Sequence, residues 1–371
     1  MKKNSHRYVR KTAAGVVALS MLCAAAIPSV LAMSAGAASA SGDLNGDGSV
    51  TAADVAILQT SLLGGTALTA EQYANADVTG DGAVDGLDLT RLRQMAAVVP
   101  VSDAIAIHLS DSGITVEGDT KGVTAVSGKT VTISASGNYT VDGSITDGQI
   151  LVNIPDTTAD SDAVSLYLQD VTMTSSTGAP CILGQSAKKL KLTCSGENTL
   201  TDTAAEANAD TSGVIYGDCD ITVTKNSTGT LNITSSMNTA IRSKDDIKLN
   251  GGAVVINTDV DDTSDADAIR ANNTLEVDGA SVSITSSADG LKSSKEDVSI
   301  LSGKVSIKAG NDAVQAATAL NISGGTVIAS GDRGFTLDEN GTLAITGGDV
   351  LATATDYAFG MDSSGAAVTV D

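Results

Sequence analysis

Residues 268–286 read AIRANNTLEVDGASVSITS, and residues 290–307 read GLKSSKEDVSILSGKVSI. Each stretch opens on a small residue followed by a large apolar one, Ala268-Ile269 and Gly290-Leu291. Each continues with an alternating apolar pair, Leu275/Val277 and Val298/Ile300, then a turn containing Gly279 or Gly303. A third apolar position, Val282 or Val305, lies five residues beyond Val277 or Ile300. The same design precedes them at Ala240-Ile241, Ile247/Leu249 and Val254. It follows them at Ala313-Val314, Leu320/Ile322 and Val327, and at Gly334-Phe335, Leu343/Ile345 and Val350.

A repeat of this length with three short strand signals has a narrow structural meaning. Alternation with period two puts one side of each strand inward. No unit can bury that side alone, so successive units must stack. Three strands per turn stacked in register make a parallel β-helix, with equivalent residues of neighbouring coils ~4.8 Å apart. A leucine-rich repeat has a similar period, but it needs a helical or Leu/Asn-patterned half, and neither is present. Less regular coils are predicted at 130–134, 150–154, 164–168 and 190–192, with the polar stretch 201–212 looping out between coils. The expected fold is therefore all-β over 107–371, after a short linker at 100–106.

Composition agrees with short strands and many turns. Aromatic residues make up 2% of the 371, Trp is absent, and the formal charge is −22. Such an acidic surface repels nucleic acid and anionic lipid and attracts cations. Lys2, Lys3, Arg7, Arg10 and Lys11 precede an apolar run from Thr12 to Ile27 and then small residues. Residues 1–40 thus read as a secretory signal with cleavage after Ala32 or Ala40, leaving no membrane segment in the mature chain. Cys181, Cys194 and Cys219 follow, an odd number that excludes complete internal pairing, and buried core thiols are expected.

Residues 43–54, DLNGDGSVTAAD, have the spacing of a calcium loop. Asp43, Asn45, Asp47 and Asp54 offer side-chain oxygens, Ser49 offers its carbonyl, and Gly48 permits the sharp turn. Residues 77–88, DVTGDGAVDGLD, repeat the design with Asp77, Thr79, Asp81, Asp85 and Asp88, and Ala83 gives a carbonyl. A helix follows each loop, lined by Val55, Leu58 and Leu62 and by Leu89 and Leu92. Two loops of this kind, each closed by Asp, resemble a type I dockerin over the whole of 42–99. The resemblance implies a small all-α calcium-binding domain that docks to a cohesin domain of a scaffoldin. It also implies partner selection by loop positions 10 and 11, which are Ala52-Ala53 and Gly86-Leu87. Thr79 stands where Asn or Asp is usual and is a poorer ligand.

From Ile107 onward, the stretches SGNYTVDGSITDGQILVN (136–153), AIRSKDDIKLNGG (240–252) and ADGLKSSKEDVSI (288–300) resemble a clostridial family of secreted carbohydrate-binding β-helix proteins related to polysaccharide lyases. The resemblance implies a right-handed parallel β-helix, bound calcium, and affinity for plant cell-wall polysaccharide, including acidic ones such as pectin. The residues themselves suggest where. Asp267, Asp289 and Asp312 precede the small residue of successive coils, and an acidic insertion with Asp265 swells the first of these turns. Carboxylates stacked ~5 Å apart repel by roughly 3 kcal/mol at an effective dielectric near 20. A calcium ion would relieve that repulsion; the alternative is that Asp merely favours turns and water screens it. Three residues on, Arg270 and Lys292, with Arg242 one coil earlier, should form an outward basic ridge suited to uronate carboxylates. The rival to simple binding is a calcium-dependent pectate-type lyase, in which Lys292 or Arg270 would serve as the base of a β-elimination. The β-helix has no Trp to stack on crystalline cellulose, which favours calcium-mediated binding of an acidic glycan.

Overall fold

The computed structural model describes residues 42–46, 50, 52–96, 104–258 and 266–361. The expected signal at 1–40, Asp47, Ser49 and Asp265 lie outside the described residues. Among the described residues, no helix is long and apolar enough to cross a membrane.

The amino-terminal domain is built from α1 (Ala52–Leu62), α2 (Ala70–Ala76) and α3 (Gly86–Ala96). Leu58 of α1 and Leu92 of α3 are fully buried with Leu44 and Ala76, and Val50, Val55, Val84 and Leu89 pack around them. The helix-period residues read from the sequence thus form this small core, except Leu62, which is exposed. The short helix α2 is not anticipated by the apolar pattern. Its signal is local: Thr69 accepts from the Gln72 amide while the Gln72 side chain accepts from the Thr69 amide, a reciprocal cap.

From Ile105 onward the chain forms a parallel β-helix of about eight coils. Strand structure begins at Ile105–Leu109, inside the segment read as linker. Three sheets run the length of the coil, one for each strand of the repeat. In the first sheet Ile241, Ile269, Leu291, Val314 and Phe335 stand in register. In the second, Leu249, Val277, Ile300, Ile322 and Ile345 do the same. In the third, the column is Val254, Val282, Val305, Val327 and Val350. The constant spacing of five between the second and third positions is what keeps both columns in register through every copy. These columns fill one continuous core, with Ile269, Leu291, Leu249 and Val305 fully buried. The earlier coils join the same columns, through Ile150, Ile182 and Ile215 in the first sheet. Of the polar stretch 201–212, residues 203–212 leave the ladder, while Thr201 and Asp202 stay paired in a strand.

The entrance to the coil is closed differently. Thr115–Glu117 pairs antiparallel with the first strand, and Thr124–Ser127 pairs antiparallel with Thr130–Ile133. These short strands cover backbone edges that would otherwise be open to another chain.

In the regular coils the turn into the third sheet carries a glycine of positive φ, at Gly252, Gly279, Gly303, Gly325 and Gly348. Gly303 has φ +96°, and a Cβ there would meet the Ala280 carbonyl oxygen at 2.3 Å. The turn therefore needs both the left-handed backbone and the missing side chain. Gly303→Ala should lower stability by more than about 1 kcal/mol. Ser299→Ala, on an outward position four residues earlier in the same coil, should stay within about 0.5 kcal/mol. Denaturant midpoints of the two variants check this, and equal midpoints would contradict it.

Candidate functional site

The two calcium-loop segments share one hydrogen-bond pattern. In the first, Asp43 Oδ1 accepts from the Gly46 amide at 2.7 Å, and Asp54 Oδ1 accepts from the Leu44 and Asn45 amides at 2.8 and 2.9 Å. In the second, Asp77 Oδ1 accepts from the Gly80 amide at 2.8 Å, and Asp88 Oδ1 accepts from the Thr79 amide at 3.1 Å. The first and last carboxylates thus fold each loop around one centre. Asp77, Asp81 and Asp88 each bring an oxygen within 4.8 Å of the others, which suits a hard cation with oxygen ligands. The Thr79 hydroxyl donates to Asp88 Oδ1 at 2.9 Å, so in this geometry it serves the carboxylate. Burial alone would raise the Asp88 carboxyl, but hydrogen bonds from Asp85 and Thr79 outweigh it and hold the group below the usual range. Among the expected partner-selecting residues, Ala52 and Ala53 open α1, while Gly86 and Leu87 open α3. Leu87 is 63% exposed, so its apolar side chain faces outward at the start of α3.

In the β-helix, Asp267, Asp289 and Asp312 do form a column, two residues before Ile269, Leu291 and Val314. All three are buried, Asp289 at 1% and Asp312 at 0% exposure. Each carboxylate reaches along the column. Asp267 Oδ1 accepts from the Asp289 amide at 3.3 Å, and Asp289 Oδ1 accepts from the Asp312 amide at 3.0 Å. The repulsion expected among them meets side-chain cations. Arg270 NH1 lies 3.5 Å from Asp267 Oδ2, and Lys292 Nζ lies 2.5 Å from Asp289 Oδ2. Asp312 has the neutral Gln315 three residues on, and its cation comes instead from Arg333, whose Nε is 2.6 Å from Asp312 Oδ1. Thr336 donates to the same oxygen at 2.7 Å.

The sequence reading passed over Arg333, although its signal was present. Aligning coils on the inward residue places Arg333 two before Phe335, where the three preceding coils carry aspartate. Sequence leaves calcium or water to relieve the repulsion; in this geometry Arg270, Lys292 and Arg333 provide internal counter-charge. Burial pushes the Asp267 carboxyl up to about 6, reinforced by the Asp289 charge and offset in part by Lys292 and Arg270. For Lys292, burial would lower the ammonium, but Asp267 and Asp289 outweigh it and hold the group above the usual lysine range.

The basic ridge is in register as expected: Arg242, Arg270 and Lys292 stand side by side, continued by Gln315 and Thr336. Two of its cations are committed to aspartates. Arg242 has Thr239 rather than Asp three residues before it. Its guanidinium donates to Ser212 Oγ and lies 6.0 Å from the Tyr216 ring centroid.

A further acidic group was not foreseen. Asp220, Asp245 and Asp246 bring one oxygen each within 4.8 Å of the others. They are partnered by Lys189 at 3.2 Å, Asn273 at 2.7 Å and Thr274 at 2.7 Å. The three cysteines are free and buried, as expected, and burial is the first cause pushing each thiol to about 12. That leaves them unsuited to nucleophilic work.

Breaking one end of the ion-pair column should be costly. Arg333→Met leaves Asp312 buried without its cation and should destabilise the protein by about 3 kcal/mol or more. Adding Asp312→Asn should recover most of that loss. Thermal unfolding of the single and double variants measures it, and an additive double variant would contradict the pairing.

Comparison with known proteins places these features in a family. The model of a carbohydrate-binding domain-containing protein matches residues 127–356, and that of the dockerin type I domain matches 41–95. A carbohydrate-binding domain-containing protein of Acetivibrio thermocellus is 33% identical over 138 residues. That match covers 36% of this chain and 46% of the relative, so the chain spans about half the length of the curated relative it matches. Among solved structures, a polysaccharide lyase-like protein from C. thermocellum, determined as a gadolinium derivative, aligns at 21% identity and a TM-score of 0.42. The alignment covers 71% of this chain and 98% of that one. The match over 127–356 spans more than half of the sequence and the greater part of the coil, so the chain belongs to the carbohydrate-binding domain-containing protein family and carries a type I dockerin domain before it.

Proposed function

We propose that this protein is a secreted cellulosome component. Residues 1–40 act as the export signal, the dockerin attaches the chain to a scaffoldin cohesin, and the β-helix binds acidic, pectin-like plant cell-wall polysaccharide. The observation that carries the glycan reading is Arg242. It is the cation of the in-register ridge with no carboxylate partner among the described residues, and it lies against Tyr216 beside Arg270 and Lys292. A guanidinium held in this way is suited to a uronate carboxylate. Binding is favoured over cleavage because a β-elimination base must accept a proton, whereas Lys292 is held protonated by Asp267 and Asp289.

Calcium enters the reading at two places. In the dockerin, Asp43, Asn45, Asp47, Ser49 and Asp54 would hold one ion, and Asp77, Thr79, Asp81, Ala83, Asp85 and Asp88 a second. In the β-helix an ion would bridge uronate to the acidic turn of Asp265 and Asp267, next to Asp289 and Asp312. Asp267 is the member of that column with the longest contacts, 3.3 and 3.5 Å, which leaves it best able to turn toward an ion.

Affinity electrophoresis in polygalacturonate gels tests the glycan reading. Retardation is expected in calcium, and Arg242→Ala should weaken it about tenfold or more, as for a lost hydrogen bond to a charged group. Retardation that persists in chelator but still needs Arg242 would remove the calcium bridge and keep the guanidinium. Absorbance from unsaturated uronate, lost in Lys292→Ala, would instead identify a lyase.

The dockerin makes a separate prediction. Asp88→Ala removes the carboxylate that closes the second loop and should abolish cohesin binding at micromolar concentrations, as chelator should for the unmodified chain. Titration calorimetry with an isolated cohesin measures both; binding that survives chelation would refute calcium-dependent docking.

A further inference from the structure

The third sheet presents an outward face unlike the other two. In one column, register runs from Ser144 through Thr172, Thr199 and Asn232 to Leu351. The adjacent column, two residues on in each strand, runs from Thr146 to Thr353 and contains Thr174, Thr201, Thr234 and Thr285. The two columns cover nine rungs, and Lys308 is their one charged residue. That is a neutral strip on a chain of formal charge −22. The charges at Glu197, Lys304 and Asp349 fall in the third outward column, along one rim.

The polar groups of this strip are available. Among the described residues, the side chains of Thr199, Asn232, Thr234, Ser283, Thr285 and Ser306 make no hydrogen bond within the protein. By contrast, inward hydroxyls at the neighbouring corner, such as Ser286 and Thr258, are tied to one another and to the Ala266 carbonyl. Interspersed with the hydroxyls are exposed aliphatic side chains, Val255, Ile328 and Leu351. Rungs ~4.8 Å apart make the strip ~38 Å long in the strand-stacking direction.

We infer that this face is a second polysaccharide site, distinct from the Arg242 ridge, and that it takes an extended uncharged glycan lying along the coil axis. A pyranose chain offers hydroxyl edges and C–H faces in alternation, which matches donors and acceptors interspersed with aliphatic carbon. A polyanion gains nothing from a strip without cations, and Lys308 alone does not make one. The family match over 127–356 makes a glycan the occupant favoured over a second copy of the chain. This goes beyond the acidic-glycan reading and needs only that the coil bind carbohydrate.

The test uses the full chain in gels of soluble mixed-linkage β-glucan and, separately, of polygalacturonate. Ser283→Glu with Ser306→Glu puts two carboxylates in mid-strip and should reduce retardation by β-glucan at least fivefold while leaving polygalacturonate retardation unchanged. Arg242→Ala should do the reverse. If the glutamate pair fails to fold, the Ser283→Ala, Ser306→Ala pair carries the same test with the same direction. Three results overturn the inference: no β-glucan retardation of the unmodified chain, none lost in a folded strip variant, or equal loss in Arg242→Ala. Sedimentation as a dimer that the glutamate pair dissociates would assign the face to self-contact and overturn it too. Polygalacturonate retardation that survives any of these leaves the acidic-glycan reading standing.

Discussion

Rung-on-rung registry is the constraint from which the other features of the coil follow. Each strand is too short to bury its apolar side alone, so equivalent residues of successive coils must lie within ~5 Å. Ile241, Ile269, Leu291, Val314 and Phe335 gain their burial in this way. The same geometry multiplies any outward or corner residue into a column. Repetition of leucine deepens a core, whereas repetition of aspartate concentrates charge.

The aspartate column shows how the fold answers that problem. Asp267 and Asp289 recruit bases from their own coils, and Asp312, followed by Gln315, takes Arg333 from the next coil. Two of the three ridge cations are thereby spent on structure. Arg242 lacks the aspartate and lies over Tyr216 instead, at the coil where the structural column has not yet begun. The neutral strip on the third sheet is the opposite outcome of the same registry: small hydroxyl side chains repeat without penalty and leave their hydrogen-bonding groups to solvent or ligand.

Much of this was legible beforehand. The five-residue spacing between Leu249 and Val254, and its later copies, fixed the register of two sheets before any coordinates. The loops DLNGDGSVTAAD and DVTGDGAVDGLD carried the dockerin, since ligand spacing is local and written in consecutive residues. The helix α2 escaped because its apolar face is short and its evidence is the Thr69–Gln72 cap. Arg333 escaped because its partner is a whole coil away.

The sequence alone determined the periodicity, the inward columns, the spacing of the carboxylates in the two loops and the line of Arg242, Arg270 and Lys292. These depend on spacing along one strand or one loop, where φ/ψ and side-chain alternation leave little choice. Only the tertiary structure decided which charges pair, that Asp312 belongs to Arg333, and which outward face is left neutral with open hydrogen-bonding groups. Those outcomes depend on distances of a few ångströms between residues some twenty positions apart, and Coulomb and hydrogen-bond energies are settled at that scale.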